Sequence, residues 1–540
     1  MSISVNGKTV EYKEGLKILD LVEDGNKSII AGKIGNKLRD LDYKVQDGSD
    51  IVLHGLEDYD CMRLYEASLR FLFLMACKRV LPSLNVKCDY FVSRTVCFRL
   101  TKGLFTEEQF NAVKEEMKNI VSEDYRFVRN TISKEEALKY YSENGCVDKV
   151  ETLKYRPEEE VHVYTCDNYK DYLYSYMVPS TGYLRKYNLI FKKGIIVMQY
   201  PRAEFNGEIP EFVEENTYEK TLIEAGKWGE QNDSLTVNAI NNNVLKDAKK
   251  FIERCEKRHS DMIEELKEKI ASNSKIKLIA IAGPSSSGKT TFSNKLRTAL
   301  ETKGIYPVKI SMDDYYLDRS NLTKEEEKKV DYEDINLIDI PLFNKHLKEL
   351  TEGKEVVLPK FDFVTKKRLV GKTMKLDKNA PIIIEGIHAL NEMLTSSLAR
   401  EEKFEIYIGP HIQINLDDHN PISITHLRLV RRLVRDYRTR GAKVDQTLAM
   451  WDSVRKGEFK WIYENQEGVD YVYNSVLDYE FCVMKKYAIP LLKEVSKDCK
   501  YYNFAKTLIK YYKYFVDIDD ECVPHDSLLR EFIGGSCFEE

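Results

Sequence analysis

Residues 278–291 read LIAIAGPSSSGKTT, and this stretch decides the fold of the larger part of the chain. An apolar run ends at Gly283, and the pattern G-x-x-x-x-G-K-[ST] follows it directly. Apolar residues at helical spacing come next. When a glycine-bearing loop connects a strand to a helix in this way, the backbone N–H groups of the loop point at phosphate groups and bind them. The stretch therefore predicts a nucleotide-phosphate site, and we call residues 283–290 the P-loop.

The P-loop predicts how ATP and Mg²⁺ are held. We expect Lys289 to reach the β- and γ-phosphates as a point charge, and so to take part in catalysis. The Thr290 hydroxyl is placed to ligate Mg²⁺. The residues expected to contact ATP are Gly283, Ser285, Ser286, Ser287, Gly288, Lys289, Thr290 and Thr291.

Strands alternate with helices from residue 276 to about residue 500. Strand-like runs cover 277–282, 307–311, 380–385 and 404–408, and helical patterns separate them. This alternation is typical of an α/β fold with a parallel sheet and helices on both faces. Ligands of such sheets bind at the carboxyl ends of the strands.

Acidic residues stand at two of these strand ends. Phosphoryl transfer to an alcohol needs a carboxylate near the attacking hydroxyl. Asp313, directly after the second strand, is our candidate base, and Asp314 is the alternative. A purely structural role for this aspartate would be to cap the N-terminus of a helix. Glu385 ends the apolar run IIIE, and we expect it to face Mg²⁺ rather than only to begin a turn.

An arginine-rich stretch, RLVRRLVRDYRTR, covers residues 428–440. Phosphoryl transfer spreads negative charge over the transferring group, and a basic helix face can neutralise that charge. We therefore expect a lid over the phosphates, although a basic helix face can also be merely solvated. The lid arginines, largely on one helix face, are Arg428, Arg431, Arg432 and Arg435.

The order of these motifs resembles the uridine kinase and phosphoribulokinase family. GPSSSGKTT matches its nucleotide loop, MDDYY its D-x-[FY]-Y catalytic segment, and IIIEGI matches outright. NLIDIP resembles the segment whose Asp holds the ribose hydroxyls, which here is Asp339. LPKFDFVTKKR resembles the substrate segment, which gives Phe361, Lys366 and Arg368, and Gln446 follows the lid. The resemblance implies ATP-dependent phosphorylation of the 5′-hydroxyl of a nucleoside.

Two departures from the family pattern concern the base. Phe361 stands where the family has Tyr, and Lys366 where it has His. Phe361 can stack but has no hydroxyl, and Lys366 donates hydrogen bonds but cannot accept them. We therefore expect a base that offers acceptor atoms, such as uracil or hypoxanthine, to be preferred over cytosine or adenine.

The N-terminal half resembles two modules of aminoacyl-tRNA synthetases. Residues 1–57, with alternating strands around Asn6-Gly7 and the ending GNKLRDLDYKVQDGSDIVLH, resemble the TGS domain, a small β-grasp module. A generic β-grasp domain is the alternative. Residues 60–205 mix helices and strands, and YEASLRFLFLMACKRVLP and YSYMVPSTGYL resemble the editing domain of threonyl- and alanyl-tRNA synthetases.

The ligand positions of that editing domain are changed here. Two His four apart on a helix, and a later Cys and His, bind Zn²⁺ or perform hydrolysis in those synthetases. The corresponding residues here are Ala67, Phe71, Leu173 and Met177, none of which ligates zinc. The resemblance thus implies the fold and argues against editing. His162 and Cys166 are two candidate ligands only, which do not make a zinc site.

A chain of 540 residues is too long for a single core. The expected units are a TGS-like domain at 1–57, a synthetase-like α+β domain at 60–205, a helical linker at 206–275, a kinase domain at 276–500 and a C-terminal segment at 501–540.

Bulk composition limits the location and the partners. A formal net charge of −5 argues against a protein wholly devoted to nucleic acid. The absence of a long apolar run predicts no membrane span, and scattered cysteines predict free thiols in the cytoplasm. We expect a nucleoside substrate and a homo-oligomer. Contact of the N-terminal half with RNA stays open, and the alternative functions are a phosphoribulokinase-like kinase of another small alcohol and an RNA-binding regulatory ATPase.

Overall fold

The computed structural model describes residues 2–90, 92–318, 333–362, 365–377, 380–411 and 414–538. No helix within these ranges is long and apolar enough to cross a membrane. Strands and helices are numbered below in chain order.

The N-terminal unit is a five-stranded sheet with the order β2-β1-β5-β3-β4. Asn6 and Gly7 both have positive φ, which suits the tight hairpin between β1 and β2. Between β2 and β3 lies one 3₁₀ turn, Ile18–Leu21, which buries Ile18 against the sheet. The strands are β1 Ser2–Val5, β2 Lys8–Glu11, β3 Ala31–Ile34, β4 Lys37–Arg39 and β5 Asp50–His54.

The second unit packs helices against a four-stranded sheet, β11-β12-β7-β6, and a three-stranded sheet, β10-β9-β8. The apolar stretch 189–199 is a hairpin, because Lys193 and Gly194 have positive φ and reverse the chain. Its helices are α1 Tyr59–Val80, α2 Glu107–Glu123, α3 Lys134–Glu143 and α4 Val147–Lys154. Its strands are β6 Val86–Cys88, β7 Val96–Leu100, β8 Val128–Ser133, β9 Glu160–Cys166, β10 Tyr169–Asp171, β11 Asn188–Lys192 and β12 Ile195–Gln199.

The positions of the missing editing ligands are filled by core packing. Ala67, Phe71, Leu173 and Met177 all belong to one apolar core. The ring of Phe71 meets those of Phe127 and Tyr169 edge-on, at 5.3 and 4.9 Å between centroids. His162 is exposed and bonds Thr131, whereas Cys166 is buried.

The segment expected to be a helical linker packs into the kinase core. It forms α5 Asn216–Asn232 and α6 Val237–Ala271, with a kink at Asp247. Apolar residues of α6 recur every three or four positions, and this face joins the same core as β13. On the exposed face of α6, Lys257 forms an ion pair with Asp261 at 2.7 Å.

The kinase unit contains a parallel five-stranded sheet with the order β14-β17-β13-β18-β21, as the alternating pattern predicts. Its strands are β13 Leu278–Ala282, β14 Val308–Ser311, β17 Ile382–Gly386, β18 Lys403–Gly409 and β21 Tyr471–Asn474. Two hairpins add β15 Val356–Asp362 with β16 Lys367–Met374, and β19 Asn415–Asp417 with β20 Asn420–Pro421. The helices are α7 Lys289–Glu301, α8 Ile340–Thr351, α9 Glu392–Thr395, α10 Ile424–Arg440, α11 Val444–Gly457 and α12 Glu480–Lys493.

The chain after residue 500 returns to the kinase unit. It forms α13 Tyr502–Tyr512 and α14 Arg530–Ile533. Phe515 stacks on Phe481 of α12 with ring centroids 4.9 Å apart, and Leu528 and Phe532 are buried in the same core. This segment is thus an integral part of the kinase core.

Candidate active site

The P-loop connects β13 to α7, and close packing requires its first glycine. A Cβ at Gly283 would lie 1.9 Å from the carbonyl oxygen of Ile408 on β18. Ser286 and Gly288 have φ of 60° and 92°, so the loop curls instead of extending. Among the described residues, the buried hydroxyls of Ser286 and Ser287 find no hydrogen-bond partner. A curled backbone with unsatisfied buried hydroxyls fits a phosphate-binding site.

Lys289 folds back over the loop. Its Nζ donates to the carbonyl oxygens of Gly283 at 2.9 Å and Pro284 at 3.2 Å. Burial lowers the pKa of Lys289, although Glu385 and Glu531 act in the opposite direction. A desolvated ammonium whose hydrogen bonds go to neutral carbonyls gains from an added anionic partner, as a phosphate would be.

Glu385, at the end of β17, lies beside the start of α7. The Thr290 hydroxyl is 3.5 Å from both carboxylate oxygens of Glu385. A hydroxyl and a carboxylate are hard oxygen donors that suit Mg²⁺, so the two residues fit the expected metal role. Sequence reasoning missed Lys309 of β14, whose Nζ lies 2.5 Å from Glu385 Oε1 and 3.1 Å from Ser293 Oγ. A lysine in the strand VKIS, three residues before MDDYY, was the available signal.

Asp313 and Asp314 lie in the short 3₁₀ turn after β14. Burial, and then the negative charge of Glu385, raise the pKa of Asp313, while Lys289 opposes the shift. Asp314 instead accepts the N–H of Phe361 at 3.2 Å and lies 3.5 Å from Lys360 Nζ. Asp313 therefore interacts with the P-loop lysine and the metal-site carboxylate, and Asp314 holds the β15–β16 hairpin.

The turn that carries Asp313 touches the predicted substrate segment. The Asp339 N–H donates to the Tyr315 carbonyl at 2.9 Å. Asp339 Oδ1 accepts the Leu342 N–H at 3.1 Å and caps α8, and its Oδ2 lies 2.6 Å from Arg368 Nη1. Arg368 pairs with Phe361 across the β15–β16 hairpin.

Two further predicted substrate residues have separate positions. Lys366 lies in the turn between β15 and β16 with φ of 58°; Phe363 and Val364 of the same motif lie outside the described residues. Gln446 is exposed, and its side-chain oxygen accepts the Lys443 N–H at 3.0 Å at the start of α11. Gln446 thus makes a helix-capping contact in this structure, and its contact with substrate stays a prediction.

The lid prediction needs correction for two arginines of α10. Arg428 is buried and ion-paired with Glu458. Arg431 is buried and forks onto Glu480 at 2.7 and 2.8 Å. A buried guanidinium needs a carboxylate partner, and both side chains have one inside the core. Arg431 Nη1 also lies 3.4 Å from the carbonyl oxygen of Ser286 in the P-loop. Both guanidinium groups are thus held by core carboxylates, and Arg431 in addition links α10 to the P-loop.

Three other arginines of α10 act on the P-loop region. Arg432 Nη1 donates to Ser285 Oγ at 2.9 Å, and Asp436 also holds its guanidinium. Arg435 bonds Asp436 and acts electrostatically on Lys289. Arg440, which the predicted lid set omitted, acts on Asp313. Arg432, Arg435 and Arg440 are thus the arginines of α10 that act on the P-loop region, and their role as a lid stays a prediction.

Comparison with known proteins gives the family of the kinase unit. The Phosphoribulokinase / Uridine kinase family model matches residues 278–478. Uridine kinase of Proteus mirabilis is 32% identical over 199 residues, which cover 36% of this chain and 85% of that protein. The chain belongs to this kinase family. Uridine kinase of Clostridium tetani is 33% identical over 177 residues, or 33% of this chain and 76% of that protein.

The N-terminal region is similar to a different class of protein. Threonine–tRNA ligase of Syntrophomonas wolfei is 31% identical over 186 residues, which cover 33% of this chain. The matched part is only 29% of that ligase, and 30% of the ligase of Caldanaerobacter subterraneus. The chain thus spans less than a third of the length of these ligases.

Proposed function

We propose that this chain transfers the γ-phosphoryl group of ATP, with Mg²⁺, to the 5′-hydroxyl of a nucleoside. Family membership supports a phosphotransferase, and the substrate is our inference from the site. We also propose the unit boundaries 1–57, 60–205, 206–275, 276–500 and 501–540. Two of these units, the one that contains α6 and the last one, share the core of the kinase unit.

One observation carries the proposal. Asp313, whose pKa is raised by burial and by Glu385, lies in a turn bonded through Tyr315 to Asp339, and Asp339 is paired with Arg368. A proton acceptor and a carboxylate able to accept hydrogen bonds from a diol thus occur side by side, next to the P-loop. That is the arrangement needed to hold a ribose with one hydroxyl directed at a phosphoryl group.

Each group has a role in this scheme. The P-loop amides and Lys289 bind and orient the phosphates, and Arg432 and Arg435 offer charge to the transferring group. Asp313 accepts the hydroxyl proton as the oxygen attacks. Thr290 and Glu385 would hold Mg²⁺, which when bound neutralises phosphate charge. Asp339 would accept hydrogen bonds from the ribose hydroxyls, with Arg368 fixing its orientation.

A phosphoribulokinase-like activity has less support from the site. A substrate that already carries a phosphate needs cations free to receive it. Arg368 is committed to Asp339 at 2.6 Å, so the acid–base pair presents little net charge to a substrate.

A panel of nucleosides with ATP, read as ADP released, tests the function and the base together. We expect turnover with uridine or inosine to exceed turnover with cytidine or adenosine, because Lys366 can only donate. Lys289→Ala should abolish turnover in a folded protein, whereas Lys303→Ala, at an exposed lysine just after α7, should not. ADP release that needs RNA and no nucleoside would instead indicate a regulatory ATPase.

A further inference from the structure

The C-terminal segment places a carboxylate on the phosphate-binding turn. Glu531 Oε2 accepts the backbone N–H of Thr291 at 3.1 Å. Thr291 lies in the first turn of α7, where N–H groups have no partner within the helix. These N–H groups are the ones that receive phosphates in a loop of this kind. An acid of the chain itself thus occupies a position suited to a nucleotide phosphate.

The segment that carries Glu531 is fixed on both sides of the site. We call residues 523–535 the strap. On the P-loop side, a Cβ at Gly288 would lie 2.5 Å from Leu528 Cδ2, and Lys295 Nζ lies 2.9 Å from Asp526 Oδ2. The strap therefore lies directly against the loop and the first turns of α7.

On the other side, the strap is bonded to helix α10. Arg438 Nη1 donates to the Phe532 carbonyl oxygen at 2.9 Å, and the Arg431 guanidinium lies 5.0 Å from the centre of the Phe532 ring. Phe532 follows Glu531 directly in the chain. Any displacement of Glu531 from the P-loop therefore acts on the contacts of α10.

Charge explains why the carboxylate and a phosphate compete. Both are anions that would accept from the Thr291 N–H, and one N–H cannot satisfy both at full strength. Glu531 also acts electrostatically on Lys289, the cation expected to bind the phosphates. A resident carboxylate therefore opposes nucleotide entry both by occupying the donor and by repulsion.

We propose that Glu531 is a phosphate mimic, which holds the P-loop in the absence of nucleotide and is displaced by ATP. When ATP displaces Glu531, the strap moves and changes its contacts with α10. This inference rests on the proposed function only in that the P-loop binds ATP. It adds regulation of that site by the C-terminal end of the described chain.

Glu531→Gln tests the mimic, because it keeps the shape and the acceptor oxygen but removes the charge. We expect ATP and inorganic tripolyphosphate to bind about five- to thirtyfold more tightly by titration calorimetry, the range for loss of one charge-assisted competitor. Glu521→Gln, at an exposed carboxylate of the same segment, should bind as the parent does. Glu531→Ala should behave as Glu531→Gln, and circular dichroism checks that each variant is folded.

Two results would overturn the inference in distinguishable ways. In the first result, the parent protein binds ATP, and the folded Glu531→Gln variant binds ATP equally well or more weakly. Glu531 would then only cap α7, and the kinase proposal would stand. Parent and variants that are folded but bind neither ATP nor tripolyphosphate would reject both the mimic and the nucleotide site.

Discussion

Asp313 and Asp314 are adjacent in the chain but have different surroundings. Glu385 and Lys289 both act on Asp313, whereas Asp314 is tied to the backbone of Phe361. A carboxylate with a raised pKa holds a proton more firmly, so it is the better proton acceptor once ionised. The environment therefore favours Asp313 over Asp314 as the candidate base, which the sequence alone could only rank.

At this residue scale, we expect Asp313→Asn to lower kcat by about 10²- to 10⁴-fold with little change in the KM for ATP. The base works when ionised, so parent activity should fall as the pH drops through the pKa of Asp313, which burial raises from the ordinary value of an Asp. Steady-state kinetics from pH 4.5 to 8 measure both effects.

Asp314→Asn is the matched control, and it should keep most of the parent kcat. Near-parent kcat in Asp313→Asn, or loss of turnover only in Asp314→Asn, would remove Asp313 from the role of base.

At the scale of secondary structure, the arginines of helix α10 have different partners and therefore different roles. Arg428, Arg431, Arg432 and Arg435 fall within an arc of about 100° at 3.6 residues per turn. Arg428 and Arg431 reach the carboxylates of Glu458 and Glu480 in the core, and Arg432 reaches Ser285 of the P-loop. The partner supplied by another element, and not the position on the helix, decides the role of each arginine.

This division predicts opposite effects for two arginine variants. Arg428→Ala leaves Glu458 as an unpaired buried charge, so it should lower the free energy of unfolding by about 3–5 kcal/mol. Arg432 is also buried, but Arg435 still pairs with Asp436 when Arg432 is removed. Arg432→Ala should therefore cost less stability than Arg428→Ala, but it should lower kcat/KM for ATP at least about tenfold, the effect of one lost charged contact.

Urea unfolding and initial rates, measured on both variants, separate these effects. Equal stability losses in the two variants, or full activity in Arg432→Ala, would contradict the assignment of Arg432 to the lid.

At the scale of the whole molecule, two buried histidines make stability depend on pH, and one of them connects α6 to the kinase sheet. His259 of α6 is buried and bonds the Val476 carbonyl oxygen at 3.0 Å; burial, and then Arg258, lower its pKa to about 3. Burial also lowers the pKa of His411 to about 4. Both rings are neutral in the folded protein at pH values where an unfolded histidine, with a pKa of about 6.5, takes up a proton.

Stability should therefore fall with acidification. Between pH of about 6.5 and 4 the unfolded chain binds protons that the folded chain does not, so the free energy of unfolding decreases as pH decreases. Each such histidine contributes up to about 1.4 kcal/mol per pH unit in this window.

Urea titrations at pH 7.0, 6.0 and 5.0 measure the slope, and His259→Gln, which can still donate to the Val476 carbonyl, should reduce it. A parent whose unfolding free energy is flat over this range, or a variant with an unchanged slope, would show that His259 is not the group responsible.

The sequence by itself determined the features that depend on short stretches of chain. The P-loop and the parallel strands around it follow from glycine placement and from runs of apolar residues, which are local properties. The apolar residues at 67, 71, 173 and 177 likewise show from the sequence that no zinc-ligand set stands at these positions. Only the tertiary structure decided which arginines of α10 are buried, that Lys309 faces Glu385, that α6 belongs to the kinase core and that Glu531 reaches Thr291. Each of these contacts joins residues distant in the chain, and the free energy of pairing a charge depends on the partner that the fold supplies.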